Sequence, residues 1–261
     1  MQPILVTGAT GTLGRSAVRQ LLDAGREVRA LSRQAHPPDA ARWFVGDLST
    51  GIGLDQALAD AGTIVHCASD PRSHRRADLD GSRNLIEAAR RAGQAHLVYI
   101  SIVGVDRVPS GYYRTKLQVE RMVEASGLPW TILRATQFHD LVFLALEWLA
   151  RLPVLPVPAG VSFQPIDAGE VAAELVALAG GGPRGRVPDV GGPEVRRASD
   201  LARSYLRARA RRRPILPFPI PGRVMAGFWR GGHLAPDRAC GRRTWEDFLA
   251  ERLAAAPAGS K

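Results

Sequence analysis

Tyr112 and Lys116 stand four positions apart in "GYYRTK". On a helix, residues at i and i+4 share a face. A phenol left to itself titrates near 10, roughly, and a neighbouring ammonium favours the phenolate. The pair therefore suits proton transfer to or from a substrate oxygen. Tyr113 is i+3 from Lys116 and fits the spacing less well. Ser101 closes the apolar run "HLVYIS" and offers a hydroxyl for a substrate carbonyl, but Ile102 follows it.

A second constellation lies near the N-terminus. "LVTGATGTLG" follows an apolar run, and Gly8, Gly11 and Gly14 form a GxxGxxG series. Glycines permit a tight turn there. They also let backbone N–H groups along Thr10, Gly11, Thr12 and Leu13 approach a pyrophosphate at a helix N-terminus. The position between a first strand and a helix gives the series its weight. The second apolar run ends "ALSRQ". It lacks the acid that would bond a ribose 2′-hydroxyl. Arg33 stands there instead, placed for a 2′-phosphate, with Arg15 in support. The pattern favours NADP(H), with NAD(H) as the second choice.

These residues need a scaffold that brings strand ends together. Short β-rich apolar runs occur at 3–7, 27–32, 42–46, 63–68, 96–101 and 130–135. Helix-like segments separate them at 12–24, 54–61, 81–92 and 111–126. The alternation predicts an α/β fold: a Rossmann-type doubly wound parallel sheet, with a small C-terminal substrate lobe. Residues 1–136 are expected to form the NADP-binding core, with 165–190 returning to it. Residues 137–261 are expected to form the smaller lobe and tail. They hold helix-like stretches at 138–151 and 167–179, an arginine-lined helix at 203–214, an apolar Pro/Gly segment at 213–236 and a last helix near "RRTWEDFLAERL".

The chain resembles the short-chain dehydrogenase/reductases, in the extended or atypical branch that includes NmrA-like proteins. The resemblance rests on "TGATGTLG", "GDL" (46–48), "HCAS" (66–69), "YIS" (99–101), "YYRTK" (112–116) and "PWTILRATQFHD" (129–140). It implies that Asp47 and Leu48 border adenine. It implies that Ala68 and Ser69 pack along the adenosine ribose, and that Ala135, Thr136 and Gln137 border the nicotinamide. It implies that Tyr112 donates a proton while Lys116 tunes it and binds the nicotinamide ribose. The family's strand typically ends in two serines, so Ile102 weakens the case for Ser101.

Composition narrows the classes. The 261-residue chain has formal net charge +10, with arginines scattered and acids interspersed. Neither a recognition motif nor interleaved aromatics support nucleic-acid binding. Two cysteines, Cys67 and Cys240, make neither a disulfide framework nor metal spacing, so no metal is expected and a reducing cytoplasm is. The N-terminus has no basic segment of a signal peptide. The longest apolar run, 141–158, contains Glu147, Arg151 and prolines, which argues against a membrane span. His139, beside Asp140, is a candidate substrate-side donor, and His66 reads as structural. Phe138, Phe143, Trp148, Phe218, Met225, Phe228 and Trp229 suggest an apolar substrate pocket or a surface patch. The expected function is an NADP(H)-dependent oxidoreductase acting on a small apolar carbonyl, enone or quinone, as a monomer or homodimer. The alternative is a non-catalytic NADP(H)-binding redox sensor or assembly factor.

Overall fold

Seven strands supply the frame: β1 (Ile4–Thr7), β2 (Val28–Ser32), β3 (Arg42–Val45), β4 (Thr63–His66), β5 (His96–Ile102), β6 (Trp130–Ala135) and β9 (Gly185–Arg186). They form one sheet in the order β3-β2-β1-β4-β5-β6-β9. The structure is a computed structural model that describes residues 2–37, 39–69 and 75–254, without the side chains of Arg75 and Arg76. All four residues of β1 and all four of β4 are buried, as central parallel strands covered on both faces must be. Their pairing is parallel and in step, Ile4 with Thr63 through Thr7 with His66. The chain builds outward from β1 through β2 to β3, then returns to place β4 on the other side. That reversal opens a crevice beyond the carboxyl ends of β1 and β4.

Helices α1 (Thr12–Asp23), α2 (Leu54–Leu58), α3 (Arg75–Arg91), α4 (Gly111–Glu124) and α6 (Ala168–Gly180) connect and cover these strands. Leu5, Leu31, Ile64, Leu97 and Tyr99 from the sheet pack with Leu85, Val119 and Val123 from the helices. α3 begins six residues earlier than the apolar pattern predicts. Its first turns, "RRADLD", are charged and carry no apolar periodicity, and Asp78 sits where a helix N-terminus favours an acid.

Two compact units divide the chain. The first comprises Met1–Asp106, Ser110–Arg134 and Ala168–Pro188; the second comprises Arg107–Pro109, Ala135–Asp167 and Asp189–Lys261. The second unit has its own core, in which Phe143 and Leu146 of α5 (His139–Leu149) meet Leu201 and Tyr205 of α7 (Ala198–Ala208) and Trp245 and Phe248 of α9 (Trp245–Ala254). Trp245 Nε1 donates to Leu201 O at 3.2 Å, so the buried indole is satisfied. β7 (Leu155–Pro158) pairs in parallel with β11 (Ile215–Phe218), and β8 (Ser162–Phe163) pairs antiparallel with β10 (Arg196–Arg197). The arginine helix starts at Ala198 rather than 203 and ends at Ala208. Ala210 adopts φ 49°, which breaks the helix and leaves Arg211–Arg213 outside it. The segment 213–236 is more regular than its Pro/Gly content suggests, since it holds β11 and α8 (Arg223–Trp229). Among the described residues, no helix is long and apolar enough to cross a membrane.

Candidate active site

The three glycines of the first loop are needed for different reasons. Gly8 has φ 67°, and a Cβ there would lie 2.7 Å from Ala68 Cα, so the end of β1 runs tight against the end of β4. Gly11 N donates to Gly8 O at 2.9 Å and closes the turn. A Cβ on Gly14 would lie 2.1 Å from Gly8 O, so α1 packs directly on the loop. Gly11 caps α1 without a side-chain hydrogen bond, and the first turn carries no acid. The opening N–H groups of α1 thus lack a side-chain cap, and such a helix N-terminus favours an anion.

The loop is one wall of a cavity of about 310 Å³. Gly8, Thr10 and Gly11 line it with Arg33, Asp47, Leu48, Ala68 and Ser69. The cradle fits the pyrophosphate and adenosine part of a dinucleotide in residue type and placement. Arg33 is exposed at its rim, just past β2. Thr12 is exposed and Leu13 is buried at the start of α1. Arg15 is also exposed on α1. Asp47 Oδ1 accepts from Ser49 N and Ser49 Oγ, both at 2.8 Å, which holds the loop after β3 in shape. His66, on the same wall, is structural. Ser82 Oγ donates to Asp78 O at 2.7 Å, so it accepts from His66 Nε2 at 3.2 Å. His66 Nδ1 then accepts from Thr7 Oγ1 at 2.7 Å. Burial, with Lys116 adding to it, lowers this imidazole to about 3, so it stays neutral. Burial pushes the neighbouring Cys67 thiol up to about 12, against the pull of Lys116.

The helix α4 starts where Ser110 caps it, its Oγ accepting from Tyr113 N at 3.1 Å. Capping sets the phase: Tyr112 falls in the first turn, and Thr115, Lys116, Val119, Glu120 and Val123 form the buried stripe. Lys116 is buried, its Nζ 3.3 Å from Ile100 O as donor and 4.9 Å from the Tyr99 ring centre. Burial lowers its ammonium to about 8, although Asp78, Cys67 and Glu120 oppose the shift. Tyr112 OH lies 2.9 Å from Ser69 Oγ, and Ser69 Oγ donates to Asp78 Oδ2 at 3.0 Å. Ser69 has one hydrogen, committed to Asp78, so Tyr112 is the donor in its bond to Ser69. Ser101 is buried on the face of β5 that also carries Tyr99. Its Oγ has no hydrogen-bond partner among the described residues.

The structure thus brings Tyr112, Ser69 and the dinucleotide cradle together within the first unit, with Lys116 one turn on. Ala135 and Gln137 belong to the second unit. There Ala135 bridges Val190, Thr136 N donates to Val190 O at 3.0 Å, and Gln137 Nε2 donates to His233 O at 3.3 Å. His139 is not a substrate-side donor. It is fully buried against the stacked rings of Trp245 and Phe248, and burial lowers it to about 4. The aromatics of the second unit are dispersed. Phe143 is core, Phe228 packs edge-on against His233, and Trp148, Phe218 and Trp229 are exposed. Among the described residues, no group of three His, Cys, Asp or Glu could hold a metal ion.

Sequence reasoning missed Asp78 and the pairing of Ser69 with Tyr112, which lie 43 positions apart. It also missed Glu120, whose signal was present: an acid at i+4 from Lys116 on the buried stripe. Glu120 is fully buried and receives Arg134 Nε and Nη2 at 2.8 and 2.7 Å, with Arg186 Nη2 at 3.1 Å. Its second signal was Arg134 inside the apolar strand "WTILRA".

Doubly wound sheets with this loop, and a Tyr-x-x-x-Lys pair on the helix after the fifth strand, make up the short-chain dehydrogenase/reductase class. The family described as NAD(P)H-binding matches residues 8–141, and the chain belongs to it, in the atypical, NmrA-like branch of that class. It is 33% identical over 202 residues to (4-alkanoyl-5-oxo-2,5-dihydrofuran-3-yl)methyl phosphate reductase of Streptomyces griseus, covering 73% of this chain and 68% of that one. It is 31% identical over 246 residues to ceramide reductase of Caulobacter vibrioides, covering 86% and 76%. It is 35% identical over 149 residues to the photosystem II assembly factor Ycf39 of Cyanophora paradoxa, covering 52% and 46%. It spans only 17% of an uncharacterised Mycobacterium tuberculosis protein, to which it is 32% identical over 164 residues. In fold it matches an NADPH-dependent quinone oxidoreductase from Escherichia coli complexed with NADPH, with TM-score 0.81, 19% identity, and coverage of 96% and 99%. The chain is thus a member of an NAD(P)H-binding oxidoreductase family.

Proposed function

We propose that the protein is an NADP(H)-dependent reductase of a small apolar carbonyl, enone or quinone. The observation that carries this reading is the Tyr112 hydroxyl held 2.9 Å from Ser69 at the wall of the cofactor cavity, one turn before a buried Lys116. Bound NADPH supplies the hydride. Tyr112 turns its O–H from Ser69 to the substrate oxygen and protonates it. Ser69 can then turn its own hydrogen toward the phenolate, and the Lys116 ammonium lowers the cost of that charge. Ser101, buried with an unpartnered Oγ, is the candidate contact for the substrate oxygen. Arg33 would bond the 2′-phosphate at the cavity rim, where no acid stands at the end of β2.

Two of the relatives are reductases by name, and a solved structure of the same fold is a quinone oxidoreductase, which supports the reaction class. The test is NADPH oxidation with a panel of quinones, enones and aldehydes. Tyr112→Phe is expected to cut turnover at least about tenfold with NADPH affinity kept. Unchanged turnover removes Tyr112 from the mechanism. Arg33→Ser is expected to raise KM for NADPH about tenfold and leave NADH nearly unaffected, since it removes one charge-assisted contact. An equal loss with both cofactors would place Arg33 outside 2′-phosphate recognition. A non-catalytic sensor or assembly role is the second reading, favoured by Ile102 and by the likeness to Ycf39. Turnover at ordinary enzyme rates with any compound of the panel retires it.

A further inference from the structure

The second unit's helix α5 has two apolar faces. Phe143, Leu146 and the following Ala150 enter the unit's core. On the opposite face Leu141, Leu144, Ala145 and Trp148 recur at i, i+3, i+4 and i+7, and the exposed Leu152 follows in the turn after the helix. This outer face is in solvent: Leu141 is 58% exposed, Leu144 53%, Trp148 64% and Leu152 41%. The helix's two acids lie on one flank and do not interrupt it. Glu147 is paired with Arg209, and Asp140 lies 4.0 Å from Arg252.

Arginines border the line. Arg209 and Arg252 hold the acids of the flank and lie over the Phe143 ring on the inner side, while the exposed Arg151 lies between Trp148 and Leu152 in sequence. Leu155 N donates to Pro214 O at 2.8 Å, which sets the exposed Arg213 near the exposed Val154, with the exposed Arg211 and Arg212 just before it in the chain. A second copy set face to face would bring arginine rim against arginine rim in a chain of net charge +10. Another globular protein would find one convex helix and about five side chains, where a stable interface takes about 20–30 residues a side. A lipid surface requires neither a groove nor a large area. Leucine and tryptophan enter the headgroup boundary, while arginine stems lie along it with their charges among anionic headgroups.

We propose that this face of α5, with its arginine rim, docks the protein on the surface of an anionic phospholipid bilayer. The helix lies in the interface and does not cross it. The proposal is independent of the reaction assigned above.

Cosedimentation of the full chain with vesicles tests it. Binding is expected to phosphatidylcholine vesicles containing phosphatidylglycerol, with little to phosphatidylcholine alone, and it should weaken steeply on raising salt. Leu144→Ser with Trp148→Ser is expected to lower the binding at least about fivefold, and Arg211–Arg213 replaced by serine at least about tenfold. Both variants should keep wild-type melting and NADPH binding, since neither touches the core of either unit nor the cofactor cavity. No binding to anionic vesicles overturns the proposal, as does binding that the Leu144/Trp148 variant leaves intact. Sedimentation velocity covers the other occupant. A wild-type dimer that the same variant makes monomeric would assign this face to a second copy and also overturn it.

Discussion

Lys116 carries most of what can be predicted from a single residue. Its folded value of about 8 lies below the ordinary 10.5, because burial penalises the ammonium. The unfolded chain therefore holds the extra proton between those values, and stability rises with pH through that window. Below about pH 8 the buried charge costs stability, and the cost fades as pH approaches 10.5. Lys116→Met removes it. The stability gap between the variant and the wild type is expected to shift by about 2 kcal/mol between pH 7 and pH 10, in favour of the variant at pH 7. Urea unfolding of both proteins at the two pH values measures it, and a gap that does not move would show that Lys116 keeps its proton throughout. The placement of Lys116 one helical turn after Tyr112 was readable, because i and i+4 on a helix is a local rule. Asp78 and the contact of Ser69 with Tyr112 were not readable, because Ser69 and Tyr112 lie 43 positions apart and meet only where the chain after β4 reaches the first turn of α4.

At the scale of elements, α4 is fastened by a buried charge. Glu120 joins α4 to β6 through a two-pronged bond with Arg134, and to β9 through Arg186. Asp106 takes the remaining arm of Arg134 at 2.9 Å, and Glu124 pairs with Arg186 at 2.6 Å. Burial opposes the charge on Arg134, but its two carboxylate partners outweigh burial and hold its value above the usual range. Removing one partner leaves the others charged and desolvated. Glu120→Ala is expected to cost about 3–5 kcal/mol in denaturant unfolding. A loss under about 1 kcal/mol would mean that water or a shifted Asp106 replaces the carboxylate. The strands of the sheet were legible because buried parallel strands are continuous apolar runs bounded by glycine or polar turns. The two-residue strands β8, β9 and β10 were not, since so short a pairing carries no periodicity of its own. The early start of α3 was hidden for the opposite reason: its charged first turns are helical but not amphipathic in the apolar sense.

For the whole molecule, composition and alternation sufficed for the fold class, and a local glycine motif sufficed for the cofactor class. They said little about the core of the second unit, which is assembled from α5, α7 and α9, because the first unit's α6 and β9 lie between α5 and α7 in the chain and short strands and α8 lie between α7 and α9. One feature of the first unit bears on how the protein is made. Its last segment, Ala168–Pro188, supplies α6, which packs on α1, and β9, which closes the sheet beside β6. A ribosome adding about 5–20 residues each second reaches Pro188 roughly three to ten seconds after it has passed Ala135, the end of β6. Until then the outer face of α1 and the edge of β6 stand open on the nascent chain. Order of synthesis thus leaves these surfaces of the first unit uncovered until the chain returns after the first stretch of the second unit.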